Sequence, residues 1–166
     1  MTGNSLNDLF HDGLKEMYYV ENELLDALSE LSSEVNHDDL QNAFDEHRSE
    51  TENHIDRLED VFEHIGESPE QKQVHALDGL VEDHQEFSNE DPDQEVLNMF
   101  DKAAAEKSEH LEIAAYGNLT FMADKLGHDG EIADLLEANL REEQDALDEL
   151  KTISEQYDGE SVPMQG

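Results

Sequence analysis

The sequence predicts an all-α protein, a four-helix bundle with an additional short helix in its middle connection. Apolar residues recur at alternating steps of three and four along most of the 166 residues, which is the spacing of the buried stripe on an amphipathic helix. No segment shows the alternating β-branched residues that are typical of a strand. The three prolines, at positions 69, 92 and 163, lie outside the long periodic segments, inside which a proline would break a helix.

Capping residues, glycines and prolines define the predicted helix boundaries. Ser5 is a suitable N-cap for the first helix, Gly66 ends the second and Gly127 ends the fourth. Ser68 followed by Pro69 is typical of an N-cap and a first helical position, so the short helix is predicted to begin there. The predicted helices cover residues 5–34, 39–65, 69–87, 93–126 and 129–157.

Connection lengths predict how the helices are arranged. The links between the first two long helices and between the last two are short, so each pair should form an antiparallel hairpin. The connection over residues 66–92 is long enough to cross the bundle, and this combination predicts the ferritin-like topology. We therefore expect one ferritin-like helical bundle domain, 1–158, and a flexible C-terminal tail, 159–166.

The chain is strongly acidic, with 45 Asp and Glu against 9 Lys and Arg and a formal charge of −36. This charge excludes ordinary nucleic-acid binding and electrostatic docking on anionic lipids, and no apolar run is long enough for a membrane span. An acidic, lysine-poor composition is typical of a salt-rich cytoplasm, such as that of halophilic archaea. Because the chain has no cysteine, disulfides and thiolate metal sites are excluded, and we expect a cytoplasmic protein.

Each long helix carries a carboxylate near the middle of its predicted inward-facing stripe. Burying an ionised carboxylate is costly unless it is paired, hydrogen-bonded or bound to a cation. The nearest basic residues, Arg57 and Arg141, cannot neutralise all these acids, whereas a pair of divalent metal ions can. Carboxylate and imidazole ligands favour Fe, Mn or Zn. The predicted metal ligands are Glu21, Glu50, His54, Glu109, Glu112 and Glu143.

Several alternatives stay open at this point. In so acidic a chain, a glutamate often falls on an inward position by chance, and such a residue is then solvated. A different register of the fourth helix would place His110 in the core. His47 and His54 are each either a metal ligand or a hydrogen-bond partner of a buried carboxylate.

Four stretches of the chain together form a recognisable pattern: YYVENEL at 18–24, HRSET at 47–51, EHLEIAAYG at 109–117 and LREE at 140–143. This pattern resembles the YciE/YciF-type ferritin-like stress proteins. The resemblance covers about residues 5–157 in the same order, and EHLEIAAYG is its most specific part.

The resemblance implies a ferritin-like bundle, a homodimer and a rubrerythrin-like dinuclear metal site, with a link to stress responses. It matches Glu21, Glu50, Glu109, Glu112 and Glu143 to the inward-facing acids of that family. His54 stands where other members have His or Gln. In the general ferritin-like Glu-x-x-His pattern, histidines would stand at the positions of Asn53 and Ala146, so the second half of the site lacks those ligands.

These observations lead to two expected functions from different classes. In the first, two metal ions, iron in preference to manganese or zinc, reduce peroxide or O2 or are sequestered during stress. The chain has no cysteine-rich electron-transfer domain, so turnover would need an external reductant. In the second, the chain is a non-catalytic dimeric scaffold that binds a partner. The sequence leaves open whether the protein is an enzyme.

Removing salt should unfold the protein. At about 1 M salt the Debye length is only about 3 Å, so repulsion among surface carboxylates is screened, whereas dilute buffer restores that repulsion. The far-UV circular dichroism spectrum should lose its helical signal on dialysis from concentrated KCl into dilute buffer. An unchanged spectrum would contradict the salt-adapted interpretation.

Overall fold

The computed structural model describes residues 3–128, 130–159 and 162–166. They form α1 (Leu6–Glu34), α2 (Asp38–His64), α3 (His75–Ser88), α4 (Gln94–Leu126) and α5 (Glu131–Gln156). The described residues contain no strand, so the all-α prediction is confirmed. In the bundle, α1 contacts both α2 and α4, and α5 contacts the same two helices from the other side. No helix in the described ranges is both long and apolar enough to cross a membrane.

The ends of the long helices agree closely with the capping signals. Ser5 accepts a hydrogen bond from the backbone N–H of Asp8 at 3.0 Å and caps α1 as predicted. Gly127 takes a left-handed φ of 76° and ends α4. The α5 helix begins at Glu131, while residue 129, its predicted start, lies outside the described residues. Residues 160 and 161 of the predicted tail also lie outside them.

The prediction for the start of the short helix was wrong, because α3 begins at His75 and not at Pro69. Residues 68–74 are not helical, and this segment lies alongside α1 in the structure. The Lys72 backbone N–H donates to the Lys15 carbonyl at 3.0 Å, and Lys72 Nζ donates to Asp12 at 2.6 Å. Since this segment has hardly any apolar side chain to bury, a helix there would gain little from packing.

The connection between α2 and α4 carries α3 along the outside of the bundle. The Tyr19 hydroxyl donates to Asp78 near the start of α3 at 2.5 Å. Near the other end of α3, His84 Nε2 lies 2.8 Å from Glu34 at the end of α1. Thus α3 runs parallel to α1, and α4 starts at the end of the bundle where α1 finishes. A single long crossover of this kind is the ferritin-like topology.

Asn98 fastens the turn between α1 and α2 to α4. Its side chain is fully buried, and Nδ2 donates to the side-chain oxygen of Asn36 at 2.7 Å. Its Oδ1 accepts from the Asn36 backbone N–H at 3.2 Å and from Gln94 at 3.0 Å. One buried amide therefore satisfies polar groups on two separate segments.

Replacing Asn98 by Ala should lower the free energy of unfolding by about 2 kcal/mol, because the mutation leaves buried donors and acceptors without partners. Asn118→Ala is the matched control, since Asn118 is exposed on the same helix and bonds only within it. The control should change stability by less than about 0.5 kcal/mol. Chemical denaturation in concentrated KCl measures both values, and equal losses would contradict the structural role of Asn98.

Candidate metal centre

The middle of the bundle contains a cluster of buried ionisable side chains that all four long helices supply. Each of them is at most 5% exposed, and each offers a nitrogen or carboxylate oxygen to its neighbours. We call this set the central cluster: Glu21 from α1, His47 and His54 from α2, Glu109 and Glu112 from α4, and Glu143 from α5.

One half of the central cluster surrounds His47. Its Nε2 lies 2.8 Å from Glu109 Oε1, 3.4 Å from Glu143 Oε2 and 4.0 Å from Glu112 Oε2. Glu109 and Glu112 point the same way because residues three apart lie on one face of a helix. One nitrogen and three carboxylates can therefore converge on a single cation.

The other half surrounds His54 and shares a ligand with the first. His54 Nδ1 lies 3.0 Å from Glu143 Oε1 and 3.4 Å from Glu21 Oε1. The two oxygens of Glu143 therefore face different histidines. A carboxylate in this position can bridge two metal ions, one in each half.

Many potential ligand atoms in the central cluster have no hydrogen-bond partner among the described residues. They are Glu21 Oε2, His47 Nε2, His54 Nδ1, Glu109 Oε2, both oxygens of Glu112 and both oxygens of Glu143. Buried polar atoms are almost always satisfied in native proteins, so a set of orphaned ones indicates a missing ion or water. The cluster has four carboxylates and two imidazoles, so two divalent cations would neutralise it with both histidines uncharged. The residues therefore fit a dinuclear metal centre.

Protonation partly replaces these cations in the metal-free protein. Burial and the charge of Glu143 raise the pKa of Glu112 well above its ordinary value. Burial and the charge of Glu21 do the same for Glu143. Burial alone would lower the pKa of His47, but the neighbouring Glu109 outweighs it and raises that pKa. Metal binding must therefore displace protons from the cluster.

Each histidine turns its second ring nitrogen toward a carboxylate outside the central cluster. His54 Nε2 lies 3.1 Å from Glu142 Oε2, and His47 Nδ1 lies 3.4 Å from Glu50 Oε2. Carboxylates in this position orient metal-binding histidines and fix their tautomers. Glu142 is held in turn by an ion pair with Arg57.

A chain of hydrogen bonds links Glu21 to this Arg57–Glu142 pair. The Tyr116 hydroxyl donates to Glu21 Oε1 at 2.6 Å, and Asn139 Nδ2 lies 3.2 Å from the same hydroxyl. Arg57 Nη1 donates to Asn139 Oδ1 at 3.0 Å. Burial raises the pKa of Tyr116 well above its ordinary value, so the hydroxyl keeps its proton and stays a donor. The network holds one side of the centre in place.

Five of the six residues predicted as ligands lie in the central cluster, and Glu50 does not. The Glu50 side chain is 28% exposed and contacts the outer nitrogen of His47. His47, for which the sequence left two roles open, occupies the inward position. The signal that could have found it is the seven-residue spacing between His47 and His54, two helical turns on one face. His110 is exposed, which excludes the alternative register of α4.

A small cavity reaches His47 and Glu109 from the surface, and Glu50 and Glu149 line it. Ala146 lies in the same lining. Alanine stands there in place of the histidine of the ferritin-like pattern, and its small side chain leaves room for this cavity. The acidic lining makes the potential beside His47 favourable for cations.

The fold and the cluster define a helical-bundle protein with a buried carboxylate–histidine centre, and the comparisons with known proteins agree. The model of the family described as "Domain of unknown function (DUF892)" matches residues 5–161. The chain belongs to this family.

Relatives of known sequence or structure cover nearly the whole chain. Protein YciF of Escherichia coli (strain K12) is 33% identical over 145 residues, which are 87% of each chain. The structure of the E. coli stress protein YciF superposes with a TM-score of 0.85 at 32% identity, covering 91% of this chain and 95% of that one. The structure of YcfI from Rhodopseudomonas palustris superposes with a TM-score of 0.87 at 35% identity, covering 92% and 98%.

Glu112→Gln should raise the free energy of unfolding of the metal-free protein by about 1 kcal/mol or more, because folding forces Glu112 either to keep a proton that it loses in the unfolded chain or to bury an uncompensated charge. The pKa of Glu112 is raised in the folded state, so the cost of charging it is absent below its ordinary value of 4.5 and grows as the pH rises. The gain should therefore be larger at about pH 8 than at about pH 5.

Chelator-treated protein in concentrated KCl is the sample, and denaturant titration gives the free energies. Glu155→Gln, an exposed glutamate on α5, makes the same change in charge and should leave stability nearly unchanged. A Glu112→Gln protein less stable than wild type at both pH values would show that this carboxylate is satisfied without metal.

Proposed function

We propose that this chain is a ferritin-like stress protein that holds two iron ions in the central cluster and uses them to reduce peroxide or O2 or to sequester iron. The observation that carries the proposal is Glu143, whose two oxygens face the two histidine-centred halves of one buried, charge-matched cluster. Imidazole and carboxylate ligands suit iron, and Mn2+ or Zn2+ would fit the same donors.

The residues of the chain perform the binding and positioning in this proposal. His47 and His54 supply nitrogen ligands, and Glu50 and Glu142 hold their outer nitrogens. Reduced iron supplies the electrons for peroxide or O2 when it is bound. Apolar packing on both sides keeps bulk water out of the centre, and the small cavity beside Glu50 lies next to His47 and Glu109.

Three further features belong to the same proposal. The link to stress rests on family membership and on the E. coli relative, which is named a stress protein. Homodimer formation and an external reductant are carried over from the resemblance and from the absence of cysteine. A salt-rich, archaeal cytoplasm as the setting is supported by the charge of −36.

Metal content per chain tests the proposal directly. The protein is purified in about 1 M KCl, where diffuse binding to surface acids is screened, and loaded with Fe(II) without oxygen. Elemental analysis after gel filtration should give about two ions per wild-type chain. Glu143→Gln should lose most of this metal because it removes the shared ligand, whereas Glu155→Gln on the same helix should retain it.

Two single variants resolve the halves of the centre. His47→Gln and His54→Gln should each retain about one ion per chain if the halves bind independently. Wild-type protein without tightly held metal would leave the fold intact and favour the non-catalytic scaffold. The R. palustris relative, described as a candidate structural protein, is consistent with that second function. Peroxide consumption by the loaded wild type then separates turnover from storage.

A further inference from the structure

A second group of ligand-type side chains, two of them buried and one partly exposed, lies away from the central cluster. Glu34 comes from the end of α1, His84 from α3 and Asp101 from α4. His84 Nε2 lies 2.8 Å from Glu34 Oε2 and 3.1 Å from Asp101 Oδ1. Glu34 follows Glu21 by 13 residues on α1, a distance of roughly 20 Å along the helix. We call these three residues the outer cluster.

The contacts within the outer cluster leave the carboxylate of Asp101 without hydrogen bonds. The residue is fully buried, and neither of its carboxylate oxygens accepts a hydrogen bond from any described residue. No lysine or arginine in the described part of the chain forms an ion pair with Asp101 or Glu34; the only cationic partner of both is His84. One imidazolium cannot offset two carboxylates, so a negative charge remains uncompensated beneath the surface.

We propose that the outer cluster is a mononuclear site for a divalent transition metal, with Zn2+ as the representative ion. Two carboxylates neutralise a divalent ion while His84 remains uncharged. One nitrogen and two oxygens are a ligand set that Zn2+ accepts, and the fourth position of its tetrahedron is left for water. Ser88 Oγ donates to Glu34 Oε1 at 3.0 Å and orients that carboxylate.

The position of the site indicates what the ion does. α3 buries only two residues, Leu77 and His84, so apolar packing holds it weakly. A metal bound to the outer cluster joins this crossover helix to both α1 and α4. The ion therefore acts as a structural clamp on α3, independently of any chemistry at the central cluster.

The neighbouring carboxylates of Asp101 and Glu34 raise the pKa of His84 to about 9. A proton and a metal ion therefore compete for the same nitrogen. Zn2+ binding is best measured at about pH 8, where the metal can displace this proton.

The test uses the full chain carrying both His47→Gln and Glu143→Gln, which removes a ligand from each half of the central cluster, in about 1 M KCl. Equilibrium dialysis against Zn2+ with elemental analysis should find about one bound ion per chain. Adding Asp101→Asn or Glu34→Gln should weaken this binding more than about tenfold. Losing even a residue that only hydrogen-bonds to a metal ligand weakens metal affinity by about that factor, and these two substitutions remove proposed ligands themselves. Hydrogen exchange should show α3 amides protected by Zn2+ only when the outer cluster is intact.

Two matched variants control for charge and for histidine content. Glu30 is exposed one turn before Glu34, and His75 is exposed at the start of α3. Proteins carrying Glu30→Gln or His75→Gln should both keep the bound Zn2+. Asp101→Asn preserves side-chain shape, and Glu34→Gln changes a partly exposed residue, so at least one folded variant remains for measurement.

No tight Zn2+ binding in the protein that carries His47→Gln and Glu143→Gln, or equal binding after Asp101→Asn and Glu34→Gln are added to it, would overturn the site. The first result would leave His84 as a protonated partner of two acids. Because both halves of the central cluster lack a ligand throughout this test, failure here is separate from failure of the proposed iron centre, which is measured in protein with intact His47 and Glu143.

Discussion

The structure depends on the cost of placing several carboxylates in one cross-section of a bundle whose remaining core is apolar. Glu21, Glu109, Glu112 and Glu143 are all buried within reach of each other, with only two imidazoles between them. Coulomb repulsion in such a low-dielectric space is severe, and protons or metal cations are the charges that can relieve it. A stretch of chain selected only for stability would have apolar residues at these positions.

The bundle supports this centre from outside as well as from within. Glu50 and Glu142 hold the histidines by their outer nitrogens, and Tyr116 holds Glu21. These contacts fix the orientation of the cluster's side chains in the metal-free protein, which would lower the reorganisation needed for a cation to bind. The apolar layers above and below the centre keep the four helices at a constant spacing, so the ligands stay in register.

Burial separates the functional acids from the many others in this chain. Among the acidic residues that the structure describes, those outside a short buried list are at least partly exposed, so water and salt screen them; the buried ones are Glu21, Asp101, Glu109, Glu112 and Glu143. The central and outer clusters contain the acids that the structure removes from solvent, and only there does a missing counter-charge have a large energetic effect. The outer cluster also shows how a polar group on the crossover connection can link that connection to the bundle.

The sequence by itself determined the number of long helices, their boundaries and the level at which the acids converge. Capping and helical periodicity are local properties, so Ser5 and Gly127 could be identified without the fold. Only the tertiary structure decided where α3 starts and whether His47 or Glu50 faces inward. Residues three apart differ by about 60° around a helix axis, so a small rotation of α2, set by packing against α1 and α5, exchanges one for the other. The sequence could not predict the outer cluster either. Glu34, His84 and Asp101 are far apart in sequence, and they come together only because α3 packs alongside α1.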